Sequence, residues 1–406
     1  MAPGRPGARP DAVLDVRGRS GVYDTVVVGA RCAGASTALL LARRGWRVLL
    51  LDRAEFPSDT MSTLYVHQPG VALLRRWGLL DAVIASGAPA LDSVRYRVED
   101  VDLAAPAPEQ PGYGPRRRVL DSILVEAAVA AGAEFADRST VVDLLREGDR
   151  VAGVRFRGPD GRERRAHARL VVGADGMRSR VAELAGAATT AEDPRLSCVY
   201  YSRWAGLDTG FGFHERTGRW IATIPTHDGE TMVATYFPQS RFDEVRADAR
   251  AAHLDALATT APSVAAQLEG GEQVGRLLGT GDQRNFFRSA TGPGWALVGD
   301  AGHHLDTITA RGITNAFTQA DLLAGSVGDA PGDQAALDGF AARRDEAMVD
   351  GYAATLALAR LEVTPARLAL LRAVARRPEW TRDYFAVVAG LMPMEDLLDG
   401  ELLDLI

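Results

Sequence analysis

The sequence predicts a mixed α/β fold, and three observations carry that prediction. Residues 22–53, VYDTVVVGARCAGASTALLLARRGWRVLLLDR, read as strand, glycine turn, helix and strand. A second apolar run, ARLVV, ends in the loop Gly173-Ala174-Asp175-Gly176. A third short strand, Trp295–Val298, closes on Gly299-Asp300. Between the second and third lie aromatic, alternating runs from 197 to 238 that predict a further sheet.

In the first stretch, Val22–Val28 is a β-branched run suited to a buried parallel strand. Gly29 permits a tight turn. Gly34 lets the following helix, Gly34–Arg44, pack close to the strand, and Gly45 suits its C-terminus. Arg47–Leu51 is the second strand, closed by Asp52. Such a βαβ unit binds dinucleotides: the helix N-terminus offers unpaired N–H groups and a positive dipole end to a pyrophosphate. Asp52, 23 residues after Gly29, is placed to accept from ribose hydroxyls. The glycine fingerprint departs from G-x-G-x-x-G at its middle position, since the run is Gly29-Ala30-Arg31-Cys32-Ala33-Gly34. An arginine there must turn its side chain away or toward an anion, and solvent is the expected direction. Cys32 is expected to be an inert small residue.

The loop FPSDTMSTLYVHQPG carries the hydroxyls of Ser58, Thr60, Ser62 and Thr63, and His67, which either points to a site or is structural. Val71–Ala85 is helical in pattern and Ser93–Asp102 alternates as a strand. APAPEQPGYGP is a loop. A helix is expected from Arg118, then a small meander over 140–172. The runs from 197 to 238 turn at Gly210, Gly218 and His227-Asp228-Gly229. They predict a sheet with one face available to an apolar ligand, with Tyr201, Phe213, Trp220, Thr223 and Pro225 as candidate substrate residues. Residues 243–267 read as helical. Gly312 opens a helix, Ile313–Ala324, and 332–406 is leucine- and alanine-rich and helical, suited to packing, a lid or a dimer contact.

Composition narrows the function classes. The 406 residues are 47% hydrophobic and 24% charged, ordinary for a globular chain, and allow two to three domains. A net charge of −7 disfavours a nucleic-acid partner. No apolar run is long enough to span a membrane. The Pro-, Gly- and Arg-rich start lacks a secretory apolar region and reads as a mobile tail, residues 1–20. Two cysteines make no disulfide framework, which points to the cytoplasm. All 46 basic residues are arginine, so any mechanism that needs a lysine is excluded.

The three motifs occur in order: the N-terminal fingerprint, GADGMRSRV, and GDAGHHLDTITARGITNAF. Together they resemble the FAD-dependent class A flavoprotein monooxygenases, the single-component aromatic hydroxylase family. The wider superfamily includes polyketide hydroxylases and epoxidases, flavin halogenases and geranylgeranyl reductases. The resemblance covers roughly residues 22–340. It implies a Rossmann-like FAD domain over 21–92, 113–195 and 285–335. An interleaved β-sheet substrate domain would span 93–112 and 196–284, with a C-terminal helical segment over 336–406. It further implies that Gly29, Ala30, Ala33 and Gly34 hold the FAD pyrophosphate, Asp52 the adenosine ribose, and Arg53 lies beside adenine. Arg117, four residues before Asp121, would contact the cofactor, and Asp175 would serve cofactor and NAD(P)H handling. Gly299 and Asp300 would meet the ribityl chain, and Gly312 and Ile313 the pyrimidine edge of the flavin.

The implied reaction uses NADH or NADPH and O₂, through a flavin C4a-hydroperoxide, to hydroxylate or epoxidise an aromatic or polyketide-like molecule in natural-product tailoring or catabolism. No universal side-chain catalyst is needed; His303 and His304 are weak candidates, and no metal is expected. Thr307 stands where the family usually has proline, which puts the loop beside the flavin in question. Halogenation is disfavoured. Trp220-Ile221-Ala222-Thr223-Ile224-Pro225 lacks the second tryptophan of W-x-W-x-I-P, and there is no lysine. A reductase of the geranylgeranyl type is the alternative, and a non-catalytic FAD-binding module a further one.

Overall fold

The computed structural model describes residues 21–60, 62–328, 330–398 and 400–406; the expected N-terminal tail lies outside them. Strand Tyr23–Val28 pairs in parallel with Val48–Leu51 on one side and with Glu163–Gly173 on the other. Glu163–Gly173 pairs in parallel with Trp295–Leu297. The three motifs therefore leave the sheet at the same edge, outside the carboxyl ends of adjacent strands, where open α/β sheets bind ligands.

The strands are apolar on both faces because both are covered. Helices Cys32–Ala42, Arg117–Ala130 and Gly312–Val327 pack on one face, in a core that includes Leu39, Leu124 and Phe317. The hairpin of Thr140–Glu147 and Arg150–Arg157 covers the other, with Val141, Val154 and Phe156 buried against Val26 and Val171.

A seven-stranded sheet stands apart from this one. It combines Ser93–Val98 and Val101–Pro106 with the strands between Ser197 and Thr280. One face packs on helices Ala249–Thr260 and Pro262–Leu268 through Trp204, Ile221 and Val233. The other buries Tyr96, Trp220 and Tyr236 with Trp380, Tyr384 and Phe385 of the C-terminal helices.

Three elements differ from the sequence expectation. Val71–Ala85 is two helices, Gln68–Arg76 and Leu80–Ala85, separated at Gly78, whose φ of +69° ends the first. Ser93–Asp102 is not one strand but the start of a hairpin that turns at Glu99, a non-glycine residue at φ +50°. Residues 243–267 divide into Phe242–Ala247, Ala249–Thr260 and Pro262–Leu268, the last opened by a proline at its first helical position.

Candidate functional site

A cleft of about 950 Å³ opens where the three motifs leave the sheet. Gly29 sits at φ +99° on its floor. A Cβ on Gly34 would lie 1.7 Å from the Gly29 carbonyl oxygen, so only glycine lets helix and turn approach this closely. That helix starts behind Arg31, whose side chain makes no capping bond, and its first turn holds no acid. Helix Gly312–Val327 likewise starts without a side-chain cap behind Arg311. Two uncapped helix N-termini thus border one cleft, and each favours an anion.

Arg31 corrects the expectation of a solvent-facing side chain. It lines the cleft, and its guanidinium donates to Asp121 Oδ2 at 2.9 Å and to Ser58 Oγ at 3.1 Å. Asp121 is buried and also accepts from Arg117 Nη2 at 3.1 Å and from Cys32 Sγ at 3.3 Å. The intruding charge is neutralised sideways and the glycine turn stays open. Burial pushes the Cys32 thiol up, so it stays a neutral donor.

Asp52, Asp175, Asp300 and Asp306 bring carboxylates to the cleft. Asp52 accepts from the Ala30 and Ala54 N–H groups, each at 2.7 Å, which holds the turn against the second strand. Ala30 spends its N–H there and, with Gly34 and Gly299, does not line the cleft. These three expected cofactor residues support the wall from behind: a Cβ on Gly299 would meet Ala33 at 2.7 Å. Asp175 caps helix Arg180–Ala185 through Ser179 Oγ and the N–H groups of Arg180 and Val181. Burial raises its carboxyl above the ordinary range. Arg53, Arg117, Asp300, Gly312 and Ile313 all line the cleft.

The two histidines divide. His303 is buried against Phe287 and Tyr352, with no partner on either ring nitrogen, and lies off the cleft; burial pushes it down to about 3. Its place off the cleft separates it from the residues that would hold a cofactor. His304 does line the cleft, with Nδ1 bonded to the Arg284 carbonyl.

Sequence reasoning missed the neighbours of His304. Asp306 is buried and lines the cleft. Its carboxyl accepts from Ser197 Oγ at 2.7 Å, Gln283 Nε2 at 3.2 Å and the Ile308 N–H at 3.0 Å. Burial raises it to about 6. Thr307 donates to Gln283 Oε1 at 2.7 Å, so the phenols of Tyr201 at 2.9 Å and Tyr236 at 3.0 Å donate to Thr307. A hydroxyl hub therefore occupies the position where proline was expected.

Beyond this loop lies a second cavity, of about 370 Å³, walled by Tyr65, Tyr96, Phe211, Phe213, Trp220, Tyr384 and Phe385. The loop is shared. Thr307, Ala310 and Gly312 face the cleft, whereas Ile308, Thr309 and Arg311 face the apolar cavity. Of the candidate substrate residues, Phe213 and Trp220 line this cavity. Tyr201, Thr223 and Pro225 line neither cavity. Tyr201 is turned to Thr307, and Thr223 donates to the Gly210 carbonyl at 3.1 Å. Pro225 ends its strand with its carbonyl against Gly114. The pleat explains Thr223, which falls one residue out of phase with Trp220, Ala222 and Ile224. The C-terminal helices, expected to serve packing, a lid or a dimer contact, supply Leu358, Arg367, Tyr384, Phe385 and Val388 to the wall.

The residues of the cleft fit a dinucleotide: a glycine cradle without room for a Cβ, two open helix N-termini for charged groups, and carboxylates at Asp52 and Asp300 for sugar hydroxyls. Comparison with known proteins agrees. Residues 22–344 match the family model described as FAD binding domain. Digeranylgeranylglycerophospholipid reductase 2 of Methanothermobacter thermautotrophicus is 33% identical over 230 residues, 52% of this chain and 56% of that protein, so the chain spans about half the length of that relative. Among solved structures, the myxobacterial chondrochloren halogenase CndH aligns with a TM-score of 0.75 at 23% identity, over 93% of this chain and 99% of that one. PqsL, a probable FAD-dependent monooxygenase from Pseudomonas aeruginosa, aligns at 0.69 and 20%, over 91% and 99%. At these identities the likeness is one of fold. Among the described residues no helix is long and apolar enough to cross a membrane.

Proposed function

We propose that this chain, which belongs to the FAD binding domain family and is an FAD-dependent oxidoreductase, is a monooxygenase. It would use NADH or NADPH and O₂ to hydroxylate or epoxidise a small aromatic or polyketide-like molecule. The observation that carries this reading is the shared loop Thr307–Gly312, one side facing the cofactor cleft and the other an aromatic-walled cavity.

FAD, when bound, supplies the acceptor for the nicotinamide hydride and the activation of O₂. The chain's part is to bind, orient and exclude water. The open amides behind Arg31 would hold the pyrophosphate, Asp52 the adenosine ribose and Asp300 the ribityl hydroxyls. The helix N-terminus at Gly312 would face the flavin and favour negative charge there. Tyr96, Phe211, Phe213 and Trp220 would hold a planar substrate against the loop in a dry wall, which protects a reactive oxygen donor from hydrolysis. Asp306 and Thr307, at the cleft side of the loop, would hold the proton inventory beside the flavin. The absence of lysine from the sequence weighs against halogenation.

A reductase is the second reading, favoured by the name of the curated relative. Labelled O₂ separates the two. A product that gains one labelled oxygen atom while NAD(P)H is consumed supports oxygen insertion; a saturated product formed equally well without O₂ supports reduction.

A further inference from the structure

The apolar cavity carries a charge that the protein does not neutralise. Two arginines line it, and no aspartate or glutamate does. Arg367 is matched: its guanidinium donates to Glu215 Oε1 and Oε2, each at 2.7 Å. Arg311 is not. Among the described residues it makes no ion pair, and its recorded side-chain hydrogen bond goes to the Val388 carbonyl at 2.7 Å. A guanidinium has five N–H donors, so most of the fork remains available. The matched and unmatched arginines leave this wall one positive charge in excess, in surroundings of Tyr65, Phe211 and Phe385 where an unpaired charge is disfavoured. Burial indeed lowers Arg311 from the ordinary arginine range.

Two more polar atoms on residues of the same wall are buried without a partner. His67 bonds through Nε2 to the Thr309 carbonyl at 3.0 Å, which makes that nitrogen the donor and leaves Nδ1 an acceptor with nothing to accept from. Burial and the neighbouring Arg311 push His67 down to about 3, so it is neutral. Trp220 Nε1 is a buried donor without an acceptor among the described residues. Both atoms lie beneath the surface of the wall, so the unmatched charge of Arg311 is what the cavity presents to a bound molecule.

We propose that the cavity binds a planar aromatic molecule bearing an anionic group, with Arg311 as the residue that selects the anion. This rests on reading the cavity as the substrate site. Its test needs no turnover, so it fails or holds separately from the oxygen chemistry.

The test is calorimetric titration of the FAD-loaded protein with 2-naphthoate and with its neutral isostere 2-naphthamide. The wild type is expected to prefer the carboxylate by about tenfold or more, the scale of a charge-assisted pair in an apolar site. Arg311→Gln should abolish the preference, and Arg311→Lys should keep part of it, since lysine retains the charge without the planar fork. Equal affinity of the two probes in the wild type, or binding of neither, would overturn the proposal. So would an Arg311→Gln protein that keeps the preference. Loss of affinity for both probes alike in both variants would also overturn it, because it would reduce Arg311 to a clasp on the helix end at Val388.

Discussion

Arg31 Nη1 and Asp121 Oδ2 lie 2.9 Å apart, joining the glycine turn to a helix 90 residues away. The pair lets a bulky cation stand at the second glycine position of the fingerprint. Arg31 is 28% exposed in its side chain and Asp121 is 1% exposed. The two ends are therefore unequal. Arg31→Gly should change stability by less than about 1 kcal/mol, because Asp121 keeps Arg117 and Cys32. Asp121→Ala should destabilise by about 3 kcal/mol, because it removes the one carboxylate recorded against the half-buried Arg117 among the described residues and leaves Cys32 without its acceptor. Urea unfolding midpoints of the two variants check this.

Gly34→Ala and Gly312→Ala should behave oppositely. At Gly34 the new Cβ would meet backbone at 1.7 Å, so the turn must move; a loss above about 4 kcal/mol and no flavin retention are expected. At Gly312 nothing beyond its chain neighbours and its own helix backbone lies within 4 Å of the added Cβ, and the helix gains up to about 1 kcal/mol in propensity. The apoprotein should melt no lower than the wild type, while FAD affinity falls by about tenfold, since the methyl enters the cleft. Apoprotein melting and flavin fluorescence titration read the two effects apart.

Asp306 should make stability fall with pH across a defined window. Its carboxyl titrates at about 6 in the folded chain against an ordinary 3.8, with burial the main cause. The folded state holds that proton longer, so the contribution is full below about pH 4 and lost as pH rises through about 6. Relative to the wild type, Asp306→Asn should therefore gain up to about 3 kcal/mol of unfolding free energy between those limits and stay level above them. A difference that grows in the opposite direction, or that does not vary with pH, would contradict the assignment.

Thr307 is predicted to matter through its hydroxyl. Thr307→Val takes from the phenols of Tyr201 and Tyr236 the hydroxyl they share, while Gln283 Oε1 keeps only the Thr307 N–H at 3.3 Å, in a half-buried setting. About 2–4 kcal/mol should be lost, whereas Thr307→Ser should stay within about 1 kcal/mol. Thermal unfolding of the pair decides it.

What the sequence made legible was local. Each feature of residues 22–53 follows from neighbours in the chain: the glycine that turns, the glycine that packs, the acid at the strand end. The hub at Thr307 was not legible, because its partners Tyr201, Tyr236 and Gln283 come from strands and loops far away in sequence and only the fold gathers them. Arg311 looks like any loop arginine until the C-terminal helices close over it through Val388. Glu99 carries no glycine signal for its left-handed turn, so a hairpin reads as one strand. Thr223 and Trp220 share one strand three residues apart, so the pleat turns them to opposite faces and only Trp220 meets the cavity.

The measurement that bears most directly on the monooxygenase account is anaerobic stopped-flow with NADH or NADPH, followed by admission of O₂ in the presence of an aryl carboxylate such as 2-naphthoate. The account predicts that the flavin absorbance bleaches and that a transient absorbing species precedes its return. Bleaching followed by direct return of oxidised flavin, with no transient, would contradict it in favour of a reductase. A flavin that neither nucleotide bleaches would contradict the direct use of NAD(P)H.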